Sequence, residues 1–273
     1  MIDFFKNSFI WASSILSAIF TFVPESFFEK YKFSSNFSDE KNIIIARLLS
    51  FVIIFIFTMV FYKLYLHFRK SVKIKGHNYS IEVRYGDLFD SKLSECQKVI
   101  PLDECFITKV GTNPSDVNEE SLGGQYLLKY PISESDMEKL IIDADLKPER
   151  SKSKYKGKTR YASGTIVPRN DFLLMAFAKL DIDGLARLTK DEYNRCLLLL
   201  WDEINKYHMQ KNVCIPILGS GVTRDLDLTQ QELLDIIIHS YKISAQKLKN
   251  PCKLIIVCKE CKDFSINKIG TTI

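Results

Sequence analysis

The sequence predicts a three-layer α/β/α sandwich preceded by a two-helix transmembrane hairpin. Two observations carry that expectation. Residues 1–70 hold two long apolar runs, whereas residues 71–273 alternate short β-branched runs with amphipathic stretches. Alternating strands and helices bury a sheet between two helical layers, and 273 residues are enough for a membrane segment plus one domain with a sizeable core. The net charge of +5 is small and dispersed, which argues against nucleic acid as a partner. Seven cysteines without framework spacing fit a reducing compartment better than a disulfide scaffold.

Taken in order, the first apolar run extends from Ser8 to Pro24 without a charge, and a helix over about 8–24 sits at the short end of what spans a bilayer. No small-residue cleavage site follows it, since Phe22, Val23 and Pro24 stand there. The second run, Ile43 to Tyr62, predicts a helix over 43–65 with one charge, Arg47, placed to snorkel to the headgroups. Ser13, Ser14, Ser17 and Ala18 give the first helix a small-residue face suited to helix packing. Lys63, Arg69, Lys70, Lys73 and Lys75 follow the second run with no acidic residue until Glu82. The positive-inside rule then places residues 71–273 in the cytoplasm.

In the second region, Ile81, Val83 and Tyr85 alternate with Glu82 and Arg84 as in a half-buried strand that ends at Gly86-Asp87. Asp87 is usually a turn residue in that position, and it is also placed to accept hydrogen bonds from the amino group of a base. Val99–Leu102 forms a second apolar patch, and Ser121-Leu122-Gly123-Gly124-Gln125 a glycine turn before a helix. Ser133–Ala144 reads as an amphipathic helix, and Lys147–Arg160 as a solvated basic hairpin or loop, with contact to anionic lipid headgroups as the alternative. Gly164–Val167 reads as a strand and Asp171–Leu180 as a helix. A second helix, Asp191–Tyr207, opens on Thr189-x-x-Glu192, a capping box.

The most informative stretch is Asn212–Tyr241. A short strand meets Gly219-Ser220-Gly221-Val222-Thr223-Arg224, and a helix follows from Thr229, with Glu232 completing another capping box. The glycines let backbone N–H groups turn towards an anion; the same residues also make an ordinary tight β–α turn. Leu254–Val257 closes the series as a buried strand. Cys258 and Cys261 stand as a lone CxxC without redox context or enough neighbouring zinc ligands. The four histidines are scattered, so no metal, cofactor or catalytic triad is indicated.

Gly86-Asp87-Leu88, Gly123-Gly124 and Pro216–Gly221 together resemble a macro domain over roughly residues 75–265. That resemblance implies a macro-type sandwich with a mixed sheet that binds ADP-ribose. Asp87 and Leu88 would hold adenine, Gly219, Ser220, Gly221, Val222 and Thr223 the diphosphate, and Gly123, Gly124 and Gln125 the other loop. Arg224 and Gln125 are further candidates for the distal group. Family hydrolases carry an Asn-Ala-Ala-Asn stretch that this sequence lacks, so the resemblance implies binding without turnover. The alternative is a membrane-tethered ADP-ribosyl hydrolase using Asp90, Asp171 or Asp225 as base. With two membrane helices ahead of it, the arrangement resembles the transmembrane–macro effectors of type II Thoeris anti-phage systems. Their implied partners are a TIR-domain enzyme making an ADP-ribose-based messenger such as histidine-linked ADP-ribose, the bilayer of a bacterial inner membrane, and further copies of the chain.

Overall fold

The computed structural model describes residues 2–30, 37–113, 116–221 and 227–270. The chain divides into two units, Met1–Arg69 and Lys70–Ile273. The first holds helices α1 (Ile2–Phe22), α2 (Glu25–Glu29) and α3 (Asp39–Phe68). Ser38 caps α3, its hydroxyl accepting the Lys41 N–H at 3.4 Å. Among the described residues α3 is the one helix long and apolar enough to cross a membrane, so the expectation of two spans is met by length and composition for α3 alone.

α1 packs along α3 through a seam of Ser8, Ala12 and Leu16, all buried. These recur every four residues, as one helix face requires. The small-residue face expected at Ser13, Ser14, Ser17 and Ala18 is not that seam: Ser14, Ser17 and Ala18 are exposed. Ser14 donates to the Ile10 carbonyl at 2.9 Å, and the Ser17 carbonyl accepts from Thr21 at 2.8 Å, so these groups are satisfied within the helix. The phenylalanines fix the register instead. Phe9 meets Phe51 and Phe55 edge-on at 5.8 and 6.3 Å, and Asn7 donates to the Tyr62 hydroxyl at 3.2 Å. Arg47 pairs with Glu25 at 2.7 Å and lies over the rings of Phe20 and Phe28, which gives its charge a protein partner beyond the headgroups.

The second unit is built on strands β1 (Ser71–Lys75), β2 (Ser80–Tyr85), β3 (Gln97–Asp103), β4 (Ile166–Arg169), β5 (Phe172–Leu180), β6 (Ala186–Arg187), β7 (Val213–Pro216) and β8 (Leu254–Cys258). The order across the sheet is β1-β2-β8-β7-β3-β5-β4, with β6 paired to β5. The central strands β2, β8, β7, β3 and β5 run parallel, and β1 and β4 close the edges antiparallel, which makes the sheet mixed. Helices α6 (Lys190–Tyr207) and α7 (Gln230–Ile243) cover one face. Helices α4 (Leu122–Lys129) and α5 (Glu134–Asp143) cover the other, completing three layers.

Both capping boxes form. Thr189 and Glu192 exchange side-chain and backbone bonds at the start of α6, and Thr229 and Glu232 do the same for α7. The core between α6 and α7 centres on Trp201, whose indole donates to Ser240 Oγ at 3.2 Å and meets Tyr241 edge-on.

Two expectations fail. Asp171–Leu180 is not a helix but largely strand β5, with seven of its nine residues buried. A strand covered on both faces reads as a continuous apolar run, and its favourable helix formers do not outweigh that burial. The basic stretch Phe68–Lys75, expected as a short linker, is mostly strand: β1 begins three residues beyond Phe68. The basic stretch 147–160 is irregular and mostly exposed as expected, yet Ser153 and Tyr155 within it are buried.

Candidate functional site

After β3 the chain turns towards β5 and β4, and after β7 it turns back towards β8. Ligands on parallel sheets bind beyond the strand carboxyl ends where that direction reverses. A cleft of about 1020 Å³ lies there, lined by the ends of β2, β3, β5, β7 and β8. That is at the upper end of small-ligand pockets, which run from about 300 to 1,000 Å³.

The β2 end contributes Gly86, Asp87 and Leu88. Asp87 is exposed and accepts the Phe89 N–H at 3.0 Å, which fixes its carboxylate in a turn at the rim. Leu88 is 3% exposed and roots that turn in the core beneath α4 and α5. The β7 end contributes Pro216 to Gly221. Gly219 adopts φ +83°, a conformation that a residue with a Cβ occupies only under strain. Ser220 donates its hydroxyl back to the Ile217 carbonyl at 2.7 Å, and the buried Tyr193 of α6 donates to the Leu218 carbonyl at 3.0 Å. Together they hold the β7 turn from both sides. Gly221 is open among the described residues: a Cβ built there meets none of their atoms within 4 Å.

Opposite stands the start of α4. Ser121 caps it by accepting the Gly124 N–H at 3.0 Å, and Gly123 lines the cleft. The first turn of a helix presents unpaired N–H groups and a partial positive charge, the environment an anion prefers. Gly124 serves packing instead. It is buried, and an added Cβ would run into the Asn118 carbonyl. Gln125 is likewise outside the cleft lining, with its amide donated to the Glu120 carbonyl at 2.9 Å. Of the expected site residues, the fold therefore gathers Asp87, Leu88, Gly123, Gly219, Ser220 and Gly221. Val222, Thr223 and Arg224 lie outside the described residues.

Two walls escaped the sequence reading. One is acidic and polar: Asp103 at the end of β3, then Asp116, Asn118, Glu119 and Glu120 in the loop leading to α4. The other is Lys259, Glu260 and Cys261 beyond β8. The signal available for the second was position alone, since Cys258-Lys-Glu-Cys261 ends a parallel strand just as Gly86-Asp87 does. Among the described residues no group of three or more His, Cys, Asp or Glu side chains that could hold a metal ion occurs. Cys258 is buried, which pushes its thiol up to about 12, while the exposed Cys261 donates to Gln230 Oε1 at 2.7 Å.

Asp103 holds the loop after β3 by accepting the N–H groups of Cys105 at 2.8 Å and Ile107 at 3.1 Å. Burial outweighs those bonds and pushes its carboxyl from 3.8 up to about 6. Between those two values the folded chain binds a proton that the unfolded chain has released, so this group makes the fold less stable as pH rises. Asp103→Asn keeps the Oδ1 acceptor, 2.8 Å from the Cys105 N–H and 3.4 Å from the Ile107 N–H, and removes both the charge and the Oδ2 acceptor. Its stability relative to the parent chain should rise by on the order of 2 kcal/mol between about pH 4 and pH 7 in urea titrations. A difference that does not change with pH would refute this assignment.

The family description of Thoeris protein ThsA, Macro domain, matches residues 81–259. The Thoeris protein ThsA of Bacillus amyloliquefaciens (strain Y2) is 35% identical over 209 residues, 73% of this chain and 69% of that one. Among solved structures, a mutant Oceanobacillus iheyensis macrodomain with ADPR gives a TM-score of 0.44 at 10% identity, over 70% of this chain and 90% of its own. The same macrodomain with ADP gives 0.42 at 12% identity, over 70% and 88%. These structural likenesses are too loose to carry detail. The family match defines the sandwich and its cleft as a macro domain. Within that class, the chain belongs to the ThsA macro-domain family of the Thoeris proteins.

Proposed function

We propose that this chain is a membrane-anchored receptor for an ADP-ribose-derived nucleotide in anti-phage defence, and that it binds its ligand without turning it over. The observation that carries this is the meeting, across one large cleft, of the left-handed glycine turn after β7 and the N-terminus of α4. Backbone N–H groups and a helix start are the natural partners of a diphosphate. Asp87 at the rim takes the adenine amino group. The acidic wall of Asp103, Glu119 and Glu120 suits a conjugate whose distal group carries an amine or imidazolium, such as histidine-linked ADP-ribose made by a partner TIR enzyme.

α3 spans the inner membrane, α1 completes a two-pass hairpin, and the macro domain lies in the cytoplasm. Binding shifts the chain towards an assembled state that breaches the bilayer, which requires the ligand to favour that state over the free one. The hydrolase alternative loses two of its candidate bases. Asp90 accepts the Lys92 N–H at 2.9 Å and is not in the cleft lining. Asp171 pairs with Lys211 at 2.7 Å at the opposite end of β5, and Asp225 lies outside the described residues.

The test is calorimetry on the full chain in nanodiscs, titrated with ADP-ribose and with histidine-linked ADP-ribose, with products followed by chromatography. Binding without product is the expected result, and turnover of either compound would move the chain to the hydrolases. Asp87→Ala should weaken binding of both by about tenfold, the loss of one charge-assisted hydrogen bond. An unchanged affinity would place the base elsewhere.

A further inference from the structure

Strands β1 and β2 form a pair with two unlike faces. Val72, Ile74, Ile81 and Val83 join the core shared with α6 and α7. On the other face the register sets Lys73 against Glu82, Ser71 against Arg84 and Lys75 against Ser80. Lys253, two residues before Ile255 and so on that same face, reaches across to Glu82 at 2.5 Å. The helices of this side, α4 and α5, pack on β3 and β4, towards the far edge of the sheet.

The charge there is mostly positive, with Asp90 within electrostatic reach of Arg84. Glu82 is already held by Lys253, with Arg84 at 3.9 Å. Lys73 and Lys75 are exposed and have no carboxylate partner among the described residues. Lysines commonly protect a free sheet edge from pairing with another chain. Edge protection accounts for β1, but not for basic residues on β2 and before β8, which are interior to the sheet.

Covalent geometry supplies the second observation. Only Arg69 and Lys70 separate the end of α3 from Ser71. The step from Phe68 to Ser71 crosses three peptide links and spans at most about 10–11 Å, comparable with the screening length of about 8–10 Å at physiological salt. A membrane-crossing α3 therefore keeps the start of β1 within the field of the surface it emerges from. We infer that the basic face of β1 and β2 binds anionic lipid headgroups, through Lys70, Lys73 and Lys75 with Arg84 and Lys253 behind them. This rests on the reading of α3 as a span. Basic residues at such a surface are attracted to acidic lipids and released by salt.

The experiment uses the full chain in nanodiscs of phosphatidylcholine alone or with phosphatidylglycerol, and maps amine acylation of each lysine by mass spectrometry. Labelling of Lys70, Lys73 and Lys75 should fall about fivefold in the acidic discs and recover at high salt, with Lys154 and Lys206 as unaffected controls. In the variant Lys73→Glu/Lys75→Glu, the lipid dependence at Lys70 should disappear while the chain still elutes with the discs. Equal labelling of the parent chain in both lipids, whether open or protected, overturns the proposal, and equal protection would assign this face to a second copy of the chain. Failure to elute with discs would overturn the span itself, and the proposal with it.

Discussion

Replacing Glu104 by alanine is expected to destabilise the macro domain by about 3–5 kcal/mol, the usual cost of removing one partner from a buried ion pair. Glu104 stands just past the end of β3 and is 1% exposed. Its carboxylate accepts the Ser153 hydroxyl at 2.5 Å and the Leu180 N–H at 3.2 Å, and pairs with Arg160 at 3.3 Å. One side chain therefore ties the basic loop to the ends of two central strands. Alanine would strand Ser153, itself 3% exposed, and leave Arg160 without its carboxylate. Glu104→Gln keeps the shape and an acceptor, and should cost about 1–3 kcal/mol. Urea unfolding measures both, and tryptic cleavage within 152–158 should accelerate in the same order. A stable alanine variant with an uncleaved loop would show that the loop is held by its other contacts.

That loop shows why part of the molecule was legible and part was not. Its lysines announce exposure, and most are exposed; nothing local announces that Arg160 is drawn to a glutamate 56 residues earlier. Local chemistry was read well wherever one segment contains both partners, as in the capping boxes at Thr189 and Thr229. It failed where burial decides. β5 carries Leu, Met, Ala and Lys, residues at home in helices, and becomes a strand because the sheet covers both its faces. β1 was hidden by its lysines, which suit an edge as well as a linker.

The candidate site divides along the same line. The glycine turn of β7 and the turn at Asp87 could be read because each lies within one strand–loop segment. Gly124 was taken for a ligand contact although its smallness serves the approach of the Asn118 carbonyl. The acidic wall assembles from the end of β3 and a loop beyond it, and only the sheet order shows that both face the β7 turn.

Gly221→Val is expected to lower affinity for an ADP-ribose ligand by at least about 100-fold, some 2.7 kcal/mol, while moving stability by less than about 0.5 kcal/mol. The two effects separate because Gly221 borders the cleft with open space where a Cβ would stand, and its backbone is not in the left-handed region. A valine there meets no atom of the described residues within 4 Å of its Cβ, and its bulk occupies the room in which a diphosphate would approach the backbone. Gly219→Val provides the contrast. At φ +83° a β-branched side chain is strained whether or not ligand is present, so that variant should lose stability by about 1–3 kcal/mol as well as affinity. Calorimetry and thermal unfolding on the two variants distinguish a cradle from a structural turn. Loss of binding with an intact fold at Gly221 locates the anion over the β7 turn. Full affinity in Gly221→Val would remove the diphosphate from this loop, leaving the N-terminus of α4 as the remaining anion site in the cleft.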